Sequence, residues 1–410
     1  MYPPIQSPAS VRVSKFIKYL TRFGWNCIVV TADRGPLRGT KEDNSLDSDV
    51  PQTVDVLRPH SFLPRISPEI ILGTSRENLG VSGFIKETLY NLIFPDQYIL
   101  WALSSLKTIT KTAKRGDIII TTISPYSSVL TGLGLKLLKG TKWVIDYRDG
   151  WTTDPNYKFT PPKRFLEKIL EFFCVRFADK ITCVSEPIKT DLEKNFGVKG
   201  KIAIVENGFD TDDNIAPISL SDNTFNIIYT GMISSRTRDI TQLIYAMDDI
   251  VNKQHYTNIR LYIIGNMYNQ LGAKDFRYKT LRDKLNLKDN IQFFEAVPRN
   301  DALAYQRGAN ALLLIYTSKK DTSSIMSSKV FEYIQAKKPI IGLIGKSEVR
   351  DLILENDLGV CADPTNKDEI VKAILKIYKQ PNKYYNNTEL MEKYNRKNLA
   401  DKLSYILEML

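Results

Sequence analysis

Glu332 stands between Phe331 and Tyr333 in Ser327-Ser-Lys-Val-Phe-Glu-Tyr-Ile-Gln-Ala-Lys-Lys-Pro-Ile-Ile-Gly342, a stretch that reads as a helix running into a buried strand. Ser327 or Ser328 suits the N-cap, and the free backbone N–H groups behind it form an anion site that fits a diphosphate. Lys329 adds a point charge, and the spacing puts Ser328, Lys329 and Glu332 on one face of the helix. A carboxylate offers two acceptor oxygens, which match two neighbouring ribose hydroxyls. The plainer alternative is a surface Lys329–Glu332 pair worth about 0.2–0.5 kcal/mol.

A second constellation is Asp146-Tyr-Arg-Asp-Gly-Trp151, after a strand of type Lys142-Trp-Val-Ile-Asp146. Two acids and an arginine in a loop at a strand's carboxyl end suit an acceptor or sugar site, in which Asp149 positions a hydroxyl or accepts its proton. An Asp–Arg pair that merely stabilises the loop is the competing reading.

The elements that must position these residues follow from the bulk pattern. The 410 residues are too many for one core and imply two or three domains. Hydrophobic content of 43% and charged content of 25% are those of a soluble globular chain, with no run of the roughly 18 apolar residues a spanning helix needs. Met1-Tyr-Pro-Pro-Ile-Gln-Ser-Pro reads as a turn-rich loop, so no signal peptide is expected; a cytoplasmic setting is expected, with attachment to the inner face of the cell membrane as an extension of it. The four cysteines are scattered in apolar contexts and read as buried hydrophobes; with two histidines, His60 and His255, no metal site is expected. The formal charge of +11 favours an anionic partner: phosphates, nucleic acid or an acidic membrane face. Short apolar strands alternate with helices from residue 11 to about 205, a polar linker follows Asn207-Gly208, and the alternation restarts at Asn226. The pattern predicts an α/β protein of two doubly wound, Rossmann-like halves with parallel sheets and the ligand crevice at the strands' carboxyl ends, between the halves. The expected boundaries are 1–213, 214–385 and a C-terminal segment 386–410 that packs back on the first domain.

In order along the chain, these halves carry Pro3-Pro-Ile-Gln-Ser-Pro-Ala-Ser-Val-Arg12, Gly24-Trp25, Pro95-Asp96, Ser124-Pro125, Asp146-Tyr-Arg-Asp-Gly-Trp151 and Glu206-Asn-Gly-Phe-Asp210. Tyr229-Thr-Gly231, Ile264-Gly265, Val297-Pro298 and Lys329-Val-Phe-Glu-Tyr-Ile-Gln-Ala-Lys-Lys-Pro-Ile340 complete the series. Together they resemble the family-4 glycosyltransferases of GT-B architecture, over nearly the whole chain. The resemblance implies sugar transfer from a nucleotide-diphosphate-sugar with retention at the anomeric carbon, in capsule, O-antigen or exopolysaccharide assembly. It implies a donor site in the second domain, a glycan or lipid-linked acceptor site in the first, and no cofactor. It gives Glu332 the ribose role and places Gly231, Ser327, Ser328 and Val297 around the nucleotide. Arg238, supplemented by Arg236, falls where a basic residue holds the diphosphate, and Lys329 joins it. Such cations stabilise the charge that grows on the leaving group. Arg148 falls where many relatives have a histidine near the reacting sugar, and Asp149 beside it is the candidate on the acceptor hydroxyl. Ser10, Arg12, Ser124 and Asp146 lie on the acceptor side. Three further positions depart from the family pattern: Ser324 replaces a glutamate that contacts the donor sugar, Met232 replaces a basic residue, and Glu295 replaces a glycine. Relatives also begin with a strand before the Pro-Pro loop, so the first strand is expected to be missing.

Other motifs fall short. Gly132-Leu-Gly134 lacks the third glycine of a dinucleotide fingerprint, and Gly345-Lys346-Ser347 lacks the upstream glycine of a phosphate-binding loop. Asp210-Thr-Asp212-Asp213 reads as a turn. Phe165, Leu166, Ile169, Leu170, Phe172 and Phe173 are interleaved with Lys163, Arg164, Lys168 and Arg176; such a helix packs on the sheet, the plainer reading, or lies on an anionic membrane. Two other functions fit less well. A GT-B-fold nucleotide-sugar epimerase would want a carboxylate-rich centre. A non-catalytic nucleotide- or nucleic-acid-binding protein would want an aromatic-basic recognition module, so nucleic acid is not an expected partner.

Overall fold

The computed structural model describes residues 2–5, 7–32, 44–60, 93–154, 161–212, 215–235, 238–268, 274–316, 328–384 and 388–410. The chain forms two compact units, an N-terminal one (Met1–Asn207 with Arg396–Leu410) and a C-terminal one (Gly208–Asn395).

The N-terminal unit opens with α1 (Pro8–Arg22), β1 (Ile28–Val30), β2 (Asp55–Leu57) and α2 (Ile99–Ile109). Next come β3 (Ile118–Ile123), α3 (Ser128–Lys139), β4 (Lys142–Tyr147), α4 (Pro161–Phe177), β5 (Lys180–Cys183), α5 (Glu186–Phe196) and β6 (Ile202–Ile204). All pairings are parallel, in two sheets: β1 with β2, and β3 through β6 in chain order. Trp143, Ile145, Tyr147, Ile181 and Cys183 build the main core from one sheet face. Val144, on the opposite face, packs with Leu20 of α1 and with Leu399, Leu403 and Leu407 of the C-terminal helix Arg396–Glu408. That helix is held by Arg396, which donates to the Val11 carbonyl at 3.1 Å, and by Ser404, which accepts from the Trp25 indole at 2.8 Å.

The C-terminal unit runs β7 (Phe225–Thr230), β8 (Ile233–Ser234), α6 (Thr241–Asp248), β9 (Ile259–Ile264), β10 (Met267–Tyr268), α7 (Arg277–Lys284) and β11 (Ile291–Phe294). It continues through α8 (Arg299–Gly308), β12 (Ala311–Ile315), α9 (Lys329–Ala336), β13 (Ile340–Leu343), α10 (Glu348–Glu355), β14 (Gly359–Ala362) and α11 (Lys367–Lys379). Its six-stranded parallel sheet has the order β11-β9-β7-β12-β13-β14. Successive residues alternate between two cores: Ile227, Leu261 and Leu313 on one face, Ile228, Tyr262 and Leu312 on the other. A sheet buried on both faces needs unbroken apolar strands, which explains runs such as Ala311-Leu-Leu-Leu-Ile315. The chain winds outward from β7 to β11, then returns to β12 on the other side of β7. The switch point therefore lies at the carboxyl ends of β7 and β12, the place where such sheets bind ligands.

Residues 164–177 pack on the core through Leu170, Cys174 and Val175, as the plainer reading has it, but most of the apolar stripe is not what they bury. Lys163, Glu167, Glu171, Cys174 and Val175 face inward, while Phe165, Leu166, Ile169, Phe172, Phe173 and Phe177 face out. A sequence pattern fixes which residues share a face, not which face meets the core.

Candidate functional site

In the C-terminal unit, the loops that leave β7, β9 and β11 carry Gly231, Gly265 and Val297, and α9 follows β12. Gly231 (φ +149°) and Gly265 (φ +154°) take backbone conformations that side chains rarely adopt. A Cβ on Gly265 would lie 2.0 Å from the Gly231 carbonyl oxygen, so the two turns interlock only as glycines. A Cβ on Gly231 would lie 2.7 Å from Cε and 2.8 Å from Nζ of Lys329. The missing side chain is thus the space in which the ammonium sits.

Lys329 meets solvent over part of its side chain, but its ammonium is crowded by this turn. Burial lowers its pKa to about 8, and the neighbouring charge of Arg238 pushes the same way while Glu332 opposes. Arg238 also acts on the buried Tyr229, whose hydroxyl donates to the Met232 carbonyl at 3.0 Å. The structure therefore brings Arg238, Lys329, Glu332 and Gly231 together.

Glu332 does not settle into a surface pair with Lys329. Its Oε2 accepts from Gln306 Nε2 at 3.3 Å, and the same amide donates to Thr230 Oγ1 at 2.8 Å. Among the described residues, Oε1 has no hydrogen-bond partner. Tyr333 anchors the helix by donating to the Leu313 carbonyl at 3.0 Å. Gln335 donates to the Asp210 carbonyl at 2.6 Å. Val297 is partly buried against the core cluster that holds Val330 and Phe331 of α9. The expected serine cap is corrected at Ser328: it occupies the N-cap position with helical angles (φ −59°, ψ −20°), and its side chain makes no capping bond. In that conformation the hydroxyl cannot reach back over the first turn, which leaves the leading N–H groups uncapped by it. Ser324, Ser327 and Arg236 lie outside the described residues.

In the N-terminal unit, Arg12 and Asp146 are spent on each other. Arg12 Nη2 and Nε reach Asp146 Oδ1 and Oδ2 at 2.9 and 3.2 Å. Arg12 also donates to the carbonyls of Val205 (2.8 Å) and Glu206 (2.9 Å) and to Asn207 Oδ1 (3.1 Å). Thr182 and Thr122 donate to the same carboxylate at 2.8 and 3.4 Å. Burial opposes the carboxylate's charge, but Arg12, with Thr182, outweighs it and holds the pKa below the ordinary value. The pair ties α1, β4 and the end of β6 into one piece.

Arg148 bridges loops: its Nη2 donates to the Ser124 carbonyl at 2.9 Å, while its buried Nε has no partner among the described residues. Burial lowers its pKa from the ordinary arginine value. Asp149 next to it is exposed. Ser10 is fully buried at the start of α1, where Ser7 caps its N–H at 3.0 Å. It is not joined to the Arg148 loop.

Three supporting residues were given no role from sequence. Asp96 accepts from the N–H groups of Tyr126 (2.6 Å) and Ser127 (3.1 Å), which fixes the loop after β3. Tyr126 stacks on Trp151 at 4.9 Å between ring centroids. From the inner face of α4, Glu171 accepts from Tyr147 (3.0 Å), from the Thr152 N–H (3.1 Å) and from its hydroxyl. The signal for Gln306 and Glu171, polar residues on the inward stripe of a helix, appears only once that stripe is known.

Burial raises the Glu171 pKa from 4.5 to about 7, against the hydrogen bonds that lower it. Between those values the folded protein holds a proton that the unfolded chain has lost. Stability from this group is full below pH 4.5 and falls as pH rises to 7, by on the order of 3 kcal/mol. Glu171→Gln should flatten that slope. All four tryptophans lie in the N-terminal unit, so urea unfolding followed by tryptophan fluorescence at pH 5 and pH 8 measures it directly.

Among the described residues no cluster of histidine, cysteine or acid could hold a metal ion. Likewise, no helix among them is long and apolar enough to cross a membrane.

Comparison with known proteins fits this arrangement unit by unit. Residues 9–213 match the model of Glycosyltransferase Family 4, half of the chain, and residues 210–408 match that of Glycosyl transferases group 1. The chain is a family-4 glycosyltransferase. No curated protein matches the sequence. Solved structures share the enzyme's fold at low identity. The sucrose-phosphate synthase of Thermosynechococcus elongatus gives a TM-score of 0.68 at 14% identity, over 98% of this chain and 93% of that one. The Anabaena protein HepE in complex with UDP and glucose gives 0.69 at 12%, over 100% and 98%. The lipopolysaccharide outer core galactosyltransferase WaaB gives 0.61 at 14%, over 99% and 98%. The glycosyltransferase thus has the GT-B fold, with two Rossmann-like units.

Proposed function

We propose that this glycosyltransferase moves a hexosyl group from a nucleoside-diphosphate sugar to a glycan or lipid-linked acceptor with retention of anomeric configuration, on the cytoplasmic side, in surface-polysaccharide assembly. The observation that carries the donor half is the meeting of Arg238 and Lys329 at the switch point, beside the amino end of α9. Two cations held together there, one with its pKa lowered, call for an anion of more than one charge. A diphosphate is such an anion, and a helix N-terminus with a glycine turn is a suitable cradle. Glu332 lies one turn along the same helix, with Oε1 turned to no protein donor among the described residues, where it takes the ribose hydroxyls. The backbone near Val297 flanks the base. That HepE shares the fold while holding UDP and glucose supports the reading. Arg236, Ser324 and Ser327 are assigned to the donor from the sequence resemblance alone.

In the proposed reaction the bond from the anomeric carbon to the diphosphate oxygen breaks, and a bond to the acceptor oxygen forms on the same face. The acceptor's proton passes to the departing phosphate, so no enzymic nucleophile is required. The growing charge on the leaving group meets Lys329 and Arg238, which are already in place and need no reorganisation. The acceptor enters at the loops of the N-terminal unit, where Arg148, Asp149 and Ser124 meet it. Ser10, Arg12 and Asp146 act from behind by fixing α1 and β4. No cofactor is involved; the nucleotide-sugar is a substrate.

Proton NMR of the product formed from an α-linked donor tests this reading. The anomeric coupling constant of an α-glycoside is expected. A β-glycoside, or no turnover of UDP-, GDP- or TDP-sugars with any glycan or prenyl-phosphate acceptor, would refute it.

A further inference from the structure

Helix α4 is apolar on both faces. Its inward stripe carries Leu170, Cys174 and Val175 beside Lys163, Glu167 and Glu171, and its outward stripe carries Phe165, Leu166, Ile169, Phe172, Phe173 and Phe177, each between 40% and 66% exposed. A soluble helix gains nothing from showing six large apolar side chains to water, and a contiguous patch of this kind marks a surface that is covered in use. Helix α3 packs against α4, and its last turn exposes Leu137 and Leu138.

Charge decides what covers it. Arg164, Lys168 and Arg176 lie exposed on α4, and Lys139 is exposed at the end of α3. The Arg176 guanidinium lies 5.9 Å from the centre of the Phe172 ring. Glu167 and Glu171, the acids of α4, are both buried, and α3 has none. A second copy of this surface would set cation against cation with no acid between them. An anionic lipid surface accepts both halves of the pattern: rings and aliphatic chains enter the headgroup boundary while the basic fringe meets lipid phosphates.

We propose that α4, with the end of α3, is a docking face for an anionic bilayer. The same helix holds the Trp151–Thr152 loop from its inner side through Glu171. Docking therefore brings that loop within one helix diameter of the lipid headgroups. This reaches beyond the assignment of donor and acceptor sites and does not depend on it.

Co-sedimentation with vesicles tests the proposal. One set is phosphatidylcholine alone; the other is phosphatidylcholine with an equal part of phosphatidylglycerol. The full-length protein is expected to bind the anionic vesicles and not the neutral ones, and less so as salt rises. Phe172→Ser/Phe173→Ser and Lys168→Glu/Arg176→Glu are each expected to weaken that binding about tenfold or more; Arg164 is left in place because its Nη2 donates to the Thr152 carbonyl at 2.9 Å. All four positions are exposed, so tryptophan fluorescence should report an unchanged fold. Failure of the wild type to bind anionic vesicles, or wild-type binding by both double variants, overturns the proposal. So does a dimer in light scattering that Phe172→Ser/Phe173→Ser converts to monomer, because the face would then belong to a second copy.

Discussion

Arg12→Ala is expected to destabilise the N-terminal unit by roughly 3–5 kcal/mol, enough to leave much of it unfolded at 37 °C. The loss is not that of one ion pair. Removing the guanidinium strands the Asp146 carboxylate in a site where it is almost wholly buried, with hydroxyls of Thr182 and Thr122 as its remaining donors. It also strips the Val205 and Glu206 carbonyls of their donor. Lysine is not expected to rescue, because one ammonium cannot reproduce a fork that reaches two carboxylate oxygens, two carbonyls and Asn207. The double variant Arg12→Ala/Asp146→Ala should lose far less than the sum of the two single changes, since neither leaves a buried charge alone. Urea unfolding read by tryptophan fluorescence measures all three variants. Additive losses would mean that the two residues act independently, against the bidentate geometry.

Lys329→Met is expected to lower kcat/KM about 10²–10³-fold while leaving the fold intact. Methionine fills the space beside Gly231 and removes a cation that burial already disfavours, so stability should hold or rise. The lost rate is that of a transition state whose leaving group gains charge with one fixed cation missing. Lys329→Arg should not restore it. The pocket for the head group is the gap left by a glycine side chain, where a guanidinium collides with the Gly231 turn. In the wild type, kcat/KM should fall as pH rises through about 8, the pKa of the ammonium. The pH profile of Lys329→Met should lack that limb. Steady-state kinetics with the preferred donor decide the matter.

Much of the fold was legible because parallel sheets leave a strong trace. Apolar runs such as Asn226-Ile-Ile-Tyr-Thr230 and Ala311-Leu-Leu-Leu-Ile315, spaced by helices, admit few arrangements other than α/β layers. The site helix was legible for a similar reason, since it stands between two such strands. What could not be read depends on tertiary placement. Asp55–Leu57 is a strand of three residues beyond a stretch with no period, and pairing with β1 makes it one. Ser328 has the residue type of a cap, but it takes helical angles and its side chain makes no capping bond. Helix α4 has an amphipathic pattern of normal strength, and the polar stripe faces inward because Tyr147 and Thr152 need a partner there. The roles of Asp96 and Gln306 are contacts across 30 and 26 residues of sequence, which no local pattern encodes.

Affinity for nucleoside diphosphates bears most directly on Glu332 as the ribose ligand. Titration calorimetry would compare UDP or GDP with its 2′,3′-dideoxy counterpart, on the wild type and on Glu332→Ala. The wild type should favour the ribonucleotide by about tenfold or more, the range expected for hydrogen bonds to a charged acceptor. Glu332→Ala should bind both forms alike, at the weaker affinity. A preference for the ribose that survives in Glu332→Ala, or no binding of any nucleoside diphosphate by the wild type, would contradict the assignment.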